Sequence, residues 1–576
     1  MKKFLALTSI EEAIDPAAEE IVYIENGCLK KQEDMADFDY VDRPFKTNDE
    51  LAIHIKKAGE EYKIILKQLS LALNNIHGES LSTEAWDEIL HMWLPYYIEA
   101  MYSKYLHLKK AIADNVELYT NILAESSFIH PYFAQGFWMW SLKREDYNFQ
   151  LYSHVAQFLG IEIKKRVEIR NDYPSQTIRK ESKHRYKKEK FLNVLGKRAE
   201  TIIICPDHYN FNLFELLTII IKSRFRIGVF YPNVIEVELK EFDGKYREGL
   251  KIPKEDNDSE FVKMIKDYIF TDIPTMYLEG FQESMEVLRS YRCSKIISTE
   301  DYCIHLAAIL MGKTKNAMGK IYFIPVGGDG NIWQGRSEAR ADSEVADVLY
   351  TTGWRDKDFE CELRRITNPR YWRAKKSIRN VEKRYDILYL ASITCAYCTV
   401  LSNMNSIFTK EYIEDSLSFV DHLAKDELRV KIRLFLETGW NLPNRIKGEV
   451  EIDNWSSIRF IDMVQECRLC IVDSFGTAWA EVLAMRIPLI MVIPEYMEFF
   501  TDKGWELINK LKSIGMYYNN YQEAEMYIKN NIENIELWWN DKLRQGVVEQ
   551  ICEEYVWCAD NAKKEWIKEF INIAKE

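Results

Sequence analysis

One short cluster in the chain has residue types suited to phosphate chemistry. In CRLCIVDSFGTAWAEVLAMRIPLIMV, residues 467–492, an apolar run stops at Asp473-Ser474-Phe475-Gly476-Thr477, a helical segment follows, and a second apolar run comes after it. A buried strand that turns into a helix places such a cluster beyond the carboxyl end of a parallel sheet, where ligands of open α/β sheets bind. Gly476 lets the backbone approach a ligand with no Cβ in the way. A helix starting near Thr477 points unpaired N–H groups and the positive end of its dipole at an anion. Ser474 and Thr477 add hydroxyl donors, and Glu481, one turn on and on the same face as Thr477, can accept hydrogen bonds from ribose hydroxyls. These residues predict a grip on a nucleoside diphosphate. An ordinary helix cap, with Glu481 merely favourable to the dipole, is the competing reading.

Parallel strands have to carry that turn, and the order of apolar runs supplies them. KFLALTS and IVYIENG read as two short buried strands. From Asn48 to about residue 160 the spacing turns helical, as in AWDEILHMWLPYYIEAMYSKYLHLKKAI. Strands and helices then alternate: TIIICP, FNLFELLTIIIKS, FRIGVFYP, CSKIIST, DYCIHLAAILMGK and KIYFIPVGGDGN. Residues 351–385 form a basic, charge-dense connector without a clear period, after which YDILYLASITC, RVKIRLFLETG, IRFID, RLCIVDS and PLIMVIP restart the alternation. The pattern predicts α/β architecture with two Rossmann-like domains and parallel sheets. The first spans 1–350 with a helical insertion at about 48–160, and the second spans 386–576 with a helical tail.

Composition narrows the function. At 576 residues, with 47% hydrophobic residues, the chain can bury several cores. A formal charge of −13 argues against nucleic acid as a partner. MKKFLALTSIEEAID is interrupted by Glu11 and Glu12 too early for a secretory signal, and no run reaches the roughly 18 apolar residues of a spanning helix. Eleven scattered cysteines fit a reducing compartment. The expected location is therefore cytoplasmic. The basic run 179–198, RKESKHRYKKEKFLNVLGKR, reads either as a solvated face or as a contact with anionic headgroups at the inner face of the membrane.

The residues also carry a resemblance. DSFGTAWAEVLAMRIPLI is similar to the donor-site segment of GT-B glycosyltransferases and of the related Kdo and CDP-glycerol transferases. FLALTSIEEA, WLPYYIEAMYSKYLHLKKAI, EDYNFQLYSHVAQFL, PTMYLEGFQES, KIISTEDY and ELWWNDKLRQGVVEQICEEYVWCADNAKKEWIKEF resemble, in order and nearly end to end, a family of transferases encoded in bacterial surface-polysaccharide (O-antigen) gene clusters. The resemblance implies a GT-B-like fold with the two domains facing a cleft. It implies sugar transfer from a nucleotide sugar to a glycan or lipid-linked glycan, with no metal and no cofactor beyond the donor. Two departures stand out. FIPVGGDGN replaces a Gln-His-Gly-Gly-Gly stretch, and Arg433 is followed by LFLETGW instead of a Tyr-Pro-His-Asp-like run. Transfer of a polyol phosphate from a CDP-activated donor, or a binding protein that has lost catalysis, are the alternatives.

Within that frame Arg433 is the candidate cation for the leaving phosphate, because a guanidinium binds phosphate bidentately; a salt bridge is its other reading. Gly327, Gly328 and Asp329 form a loop suited to close approach of a sugar or phosphate, or else a plain tight turn. His208, beside Asp207, and Glu11 are the candidate bases for the acceptor hydroxyl. Ser392 and Thr394 are minor phosphate donors. The pairs Cys395/Cys398 and Cys467/Cys470 are too far apart in sequence for a zinc ribbon, and Asp37/Asp39 and Asp256/Asp258 read as chance D-x-D matches. Trp538, Trp539, Trp557 and Trp566 read as packing, and the resemblance implies that the last helix crosses back onto the first domain.

Overall fold

In a computed structural model the described residues are 2–25, 28, 39–115, 117–139, 141–170, 183–299, 304–325, 327–328, 330–335, 338–391, 397, 401, 409–425, 428–434, 445–454 and 458–576. The chain forms two compact units. One is Met1–Tyr322 with Ala396–Asn403 and Phe570–Glu576; the other is Phe323–Cys395 with Met404–Glu569.

The first unit opens with a four-stranded sheet in the order β2-β1-β3-β4, made of β1 (Lys3–Ala6), β2 (Ile21–Tyr23), β3 (Leu118–Leu123) and β4 (Glu162–Val167). Its pairings are parallel, as in Phe4 with Ile21 and with Tyr119. The segment 48–160 is thus not purely helical, because β3 lies inside it and pairs directly with β1. Helices surround β3. Asn48–His77 starts at Thr47, whose hydroxyl accepts from Glu50 N at 3.2 Å, and stops at Gly78, whose φ of 64° suits glycine. Leu94–Asp114 is buried along most of its length, and Trp93 stacks on Tyr97.

A second sheet runs β10-β9-β8-β7-β5-β6, and the division between the units falls at β8. Its strands are β5 (Thr201–Ile204), β6 (Ile227–Phe230), β7 (Lys295–Ser298), β8 (Lys320–Phe323), β9 (Val348–Thr351) and β10 (Glu362–Arg365). β5 to β8 coincide with the expected runs. The chain terminus belongs to the first unit, where Phe570 packs edge-on against Tyr209 at 5.1 Å. Close by in the chain, the carbonyls of Ile573 and Ala574 accept from Lys295 and Arg226.

The second unit holds a parallel sheet in the order β13-β12-β11-β14-β15-β16. Its strands are β11 (Tyr385–Ala391), β12 (Val430–Leu434), β13 (Val450–Asn454), β14 (Cys467–Val472), β15 (Leu489–Val492) and β16 (Tyr517–Tyr518). Counted within this sheet the order is 3-2-1-4-5-6, that of a dinucleotide-binding fold, whose switch point lies between β11 and β14. IRFID, expected as a strand, ends in the short helix Phe460–Met463; the strand is β13. The connector 351–385 carries β10 and the helix Pro369–Lys376.

Candidate functional site

β14 is buried almost throughout because both faces of a central parallel strand are covered. It ends at the switch point, and the turn after it leads into the helix Thr477–Ala484. Gly476 is the N-cap of that helix, and among the described residues no side chain caps its amides. Among the described residues a Cβ added at Gly476 would meet only Ser474 Oγ, at 3.7 Å. Ser474 and Thr477 are half-buried beside it. A helix start without a side-chain cap among the described residues, beside two hydroxyls, is a local arrangement that suits an anion.

Asp473 lies beneath the turn, 1% exposed. Its carboxylate accepts from Tyr389 Oη of β11 at 2.9 Å and from Tyr412 Oη of the helix Thr409–Lys425. Expected as a ligand contact, Asp473 has its Oδ2 engaged by both tyrosines, which anchors the turn to the sheet from beneath.

Glu481 is half-buried, and its carboxylate accepts no hydrogen bond among the described residues. Burial pushes its pKa up to about 7 against the opposing pull of Arg370 and Arg373. Both arginines ride on the helix Pro369–Lys376, which Asn368 and Pro369 start: Asn368 Oδ1 accepts from Arg370 N at 2.8 Å and its Nδ2 donates to Pro325 O at 2.9 Å. Neither guanidinium has a hydrogen-bond or ion-pair partner among the described residues. Arg370 and Arg459 are the cations that depress Arg373 beyond what burial does. One turn apart on that helix, the two guanidiniums act on each other and on Glu481, an arrangement suited to a dianion.

The glycine loop is docked to the same place. Trp479, 1% exposed on the Thr477–Ala484 helix, donates its indole N–H to Gly328 O at 3.1 Å. A Cβ at Gly328 would lie 1.7 Å from Tyr371 Oη, so only glycine fits there. Gly328→Ala should therefore destabilise the chain by about 1–3 kcal/mol. Adding Tyr371→Phe should recover part of that loss in urea unfolding, because it removes the clashing oxygen. Gly327 is half-buried next to it, and Asp329 lies outside the described residues. The structure thus brings Ser474, Gly476, Thr477 and Glu481 together with Gly327 and Gly328.

Arg433 sits on β12 level with Leu390, which is itself level with Val472, so it reaches the carboxyl edge two strands from the turn. It is 4% exposed, pairs with Asp453 at 3.4 Å across the β12–β13 ladder and donates to Ile458 O at 3.0 Å. The salt-bridge reading is the one its surroundings support. His208 and Glu11 stand in the first unit, one half-buried in the turn Pro206–Tyr209 after β5, the other exposed in Glu11–Ala13 after β1. They follow strands of different sheets.

Ser392, Thr394, Cys395 and Cys398 lie outside the described residues. Cys467 and Cys470 are fully buried in β14, and burial pushes the Cys467 thiol up to about 12 and Cys470 well above the usual range, so neither supplies a thiolate. Among the described residues no group of three His, Cys, Asp or Glu side chains could hold a metal. Asp258 is buried against Lys266 at 2.5 Å, a structural pair. Trp538, Trp539 and Trp566 are buried as packing residues. Arg370, Arg373, Tyr371 and Trp479 were not anticipated; Asn368-Pro369, an N-cap followed by proline at the first helical position, was the signal for the helix that holds the two arginines.

Glu481 makes the site pH-sensitive. Its pKa is about 7 in the fold against 4.5 for an ordinary glutamate, so the folded chain holds the extra proton and its stability falls as pH rises between those values. Glu481→Gln should be more stable than the parent at pH 8 by about 1–2 kcal/mol and indistinguishable from it near pH 4.5. Urea unfolding at the two pH values measures the difference; equal differences at both would contradict the assignment.

Together, the 3-2-1-4-5-6 sheet and the turn at its switch point define a parallel α/β protein with a Rossmann-like sheet. The model of the LIC12162 family transferase matches residues 3–570, and the chain belongs to that family. No curated protein is similar enough in sequence to match it. Among solved structures, Acinetobacter baumannii MurG is 11% identical, covering 65% of this chain and 99% of its own, with a TM-score of 0.34. The wall teichoic acid polymerase TagF with CDPG is 11% identical over 68% of this chain and 93% of its own, with a TM-score of 0.33. A Listeria monocytogenes protein described as a UDP-N-acetylglucosamine 2-epimerase is 9% identical over 66% and 97%, with a TM-score of 0.38. Among the described residues no helix is long and apolar enough to cross a membrane.

Proposed function

We propose that this family member is a GT-B-like glycosyltransferase that moves a sugar from a nucleotide-activated donor to a bacterial surface glycan or its lipid-linked form. The observation that supports the reading is the packing of the helix that carries Arg370 and Arg373, which lack hydrogen-bond or ion-pair partners among the described residues, on the helix that starts at Gly476 and carries Glu481. In the transfer the acceptor oxygen bonds to the anomeric carbon, the bond from that carbon to the diphosphate breaks, and the electron pair passes to the leaving phosphate oxygen. The acceptor proton goes to a base, for which His208, Glu11 and Asp329 are the candidates. Ser474, Thr477 and the helix amides hold the diphosphate, and Arg370 and Arg373 neutralise the charge that develops on it. Glu481 accepts from the ribose, and the glycine backbone at 327–328 leaves room for the sugar.

A thermal-shift series of nucleotide sugars on the full chain tests this, because a ligand that binds only the folded state raises the midpoint. The proposal expects one nucleotide series to raise it and one member of that series to transfer label to glycan. Release of CMP with phosphate retained on the acceptor would replace sugar transfer by polyol-phosphate transfer. Binding without turnover across an acceptor panel would make the chain a binding protein, and no shift with any nucleotide would overturn the reading.

A further inference from the structure

A cavity of about 230 Å³ lies in the second unit, beyond the carboxyl ends of β15 and β16. The helices Thr409–Lys425 and Tyr521–Asn531 line it, together with the residues that follow the two strands. These helices pack on each other, and the rings of Phe419 and Tyr521 meet 5.1 Å apart at 46°. Among the described residues the lining divides by burial. Phe419, Pro494 and Tyr521 are buried and mostly aromatic, whereas Asp415, Ser418, Asn520 and Gln522 are exposed and polar. An apolar interior with a few polar groups around it is the anatomy of a small-ligand pocket.

The polar side carries both kinds of hydrogen-bonding group. Asn520 spends its Oδ1 on the helix start, accepting from Glu523 N at 3.0 Å, and keeps its Nδ2 as a donor. Asn519 does the reverse, donating from Nδ2 to Glu498 Oε2 at 3.3 Å and keeping Oδ1 as an acceptor. The side chains of Ser418 and Gln522 have no hydrogen-bond partner among the described residues, and each can donate and accept. The carboxylates are fixed in place. Asp415 accepts from Tyr496 Oη at 3.0 Å, and Glu525 pairs with His422 Nδ1 at 3.2 Å and with Lys529. With Glu495 they set three carboxylates against the single imidazole of His422 in the lining.

That sign repels phosphate. The volume also falls below the roughly 300–1,000 Å³ of pockets that hold drug-sized ligands, so a nucleotide is excluded on both counts. A single sugar ring meets the remaining demands: it is small and uncharged, has an apolar C–H face, and carries hydroxyls that donate and accept around its edge. We propose that this cavity binds one pyranose unit of a glycan, with its C–H face toward Phe419 and Tyr521 and its hydroxyls bonded to Asp415, Ser418, Asn520 and Gln522. None of these residues belongs to the set assigned to the donor, so the proposal stands or falls independently of the transferase reading.

Saturation-transfer NMR of the full chain with the methyl glycosides of glucose, galactose, mannose, rhamnose and N-acetylglucosamine tests it. At least one of them should bind, and excess UDP should leave that signal in place. Ser418→Trp puts an indole into the cavity and should weaken binding by about tenfold or more. Gln522→Ala removes one neutral hydrogen bond and should weaken it by about fivefold. Both positions are exposed, so the unfolding midpoint of each variant should hold. No binding by any of these sugars, binding that survives Ser418→Trp unchanged, or displacement by UDP would overturn the proposal. So would binding of the diamine putrescine in place of the sugars, which would assign the carboxylates to a cation.

Discussion

Arg370→Ala with Arg373→Ala is expected to lower donor turnover by about 100-fold or more while leaving the fold intact, because charge-assisted contacts to a developing anion are lost and no structural contact is. Neither guanidinium holds a hydrogen bond or ion pair among the described residues, so the urea midpoint should stay within about 0.5 kcal/mol of the parent, as for an ordinary surface change. The same variant makes a second, independent claim. Arg370 and Arg373 are the groups that pull Glu481 down from the value burial alone would set. Removing them should move the Glu481 titration above about 7, which a pH series of nucleotide affinity would show. Arg370→Lys keeps the charge but loses the planar fork, and should fall between parent and alanine. Unchanged turnover in the double variant would remove the arginines from the site.

The second large effect is expected at Asp473. Its replacement by alanine leaves Tyr389 and Tyr412 with buried hydroxyls pointing at an empty space, where a buried carboxylate had accepted from both. Each lost hydrogen bond to a charged group is worth about 1.5–3 kcal/mol, so Asp473→Ala should destabilise the chain by about 3 kcal/mol or more. Asp473→Asn keeps the shape and one good acceptor and should cost about half as much. Adding Tyr389→Phe to Asp473→Ala should recover part of the loss, since the orphaned hydroxyl goes with it. An Asp473→Ala chain as stable as the parent would mean that the turn is not anchored from below, and the shape attributed to the anion site would lose its cause.

How far the sequence foretells this arrangement depends on burial. β5, β7, β8, β11, β14 and β15 are central or doubly covered strands, and such strands must read as short apolar runs with polar residues at their ends. For the same reason the turn at Asp473–Thr477 is visible: a cluster of small polar residues between two such runs has no other place to go. β4 (EIKKRV), β10 (ELRR) and β13 (VEIDN) end their sheets, and an edge strand tolerates charges because only one side is paired. They leave no apolar signature, which is why 351–385 looks like a connector and IRFID takes the place of β13. β3 is buried but follows directly on long helices whose period masks it.

The site divides along the same line. Ser474, Gly476, Thr477 and Glu481 are neighbours in sequence on one strand–helix unit, so local spacing places them. Arg370 and Arg373 reach Glu481 only because one helix packs on another a hundred residues away, and no local pattern records that. Arg433 shows the reverse case. Its position at a strand end suggested phosphate, but the strand beside it places Asp453 in register, and a partner across a ladder cannot be read from one strand. Gly328 lies between the two cases: the glycines are conspicuous in VGGDGN, yet the reason one must be glycine is Tyr371, far along the chain.

Hydrogen–deuterium exchange of the full chain with and without a nucleoside diphosphate tests the central claim most directly, since it reports where backbone amides become protected. The account predicts slowed exchange in the peptides covering 473–484 and 369–376, lost in the Arg370→Ala/Arg373→Ala variant. Protection confined to other parts of the chain, with these two peptides unchanged while the nucleotide is bound, would contradict it.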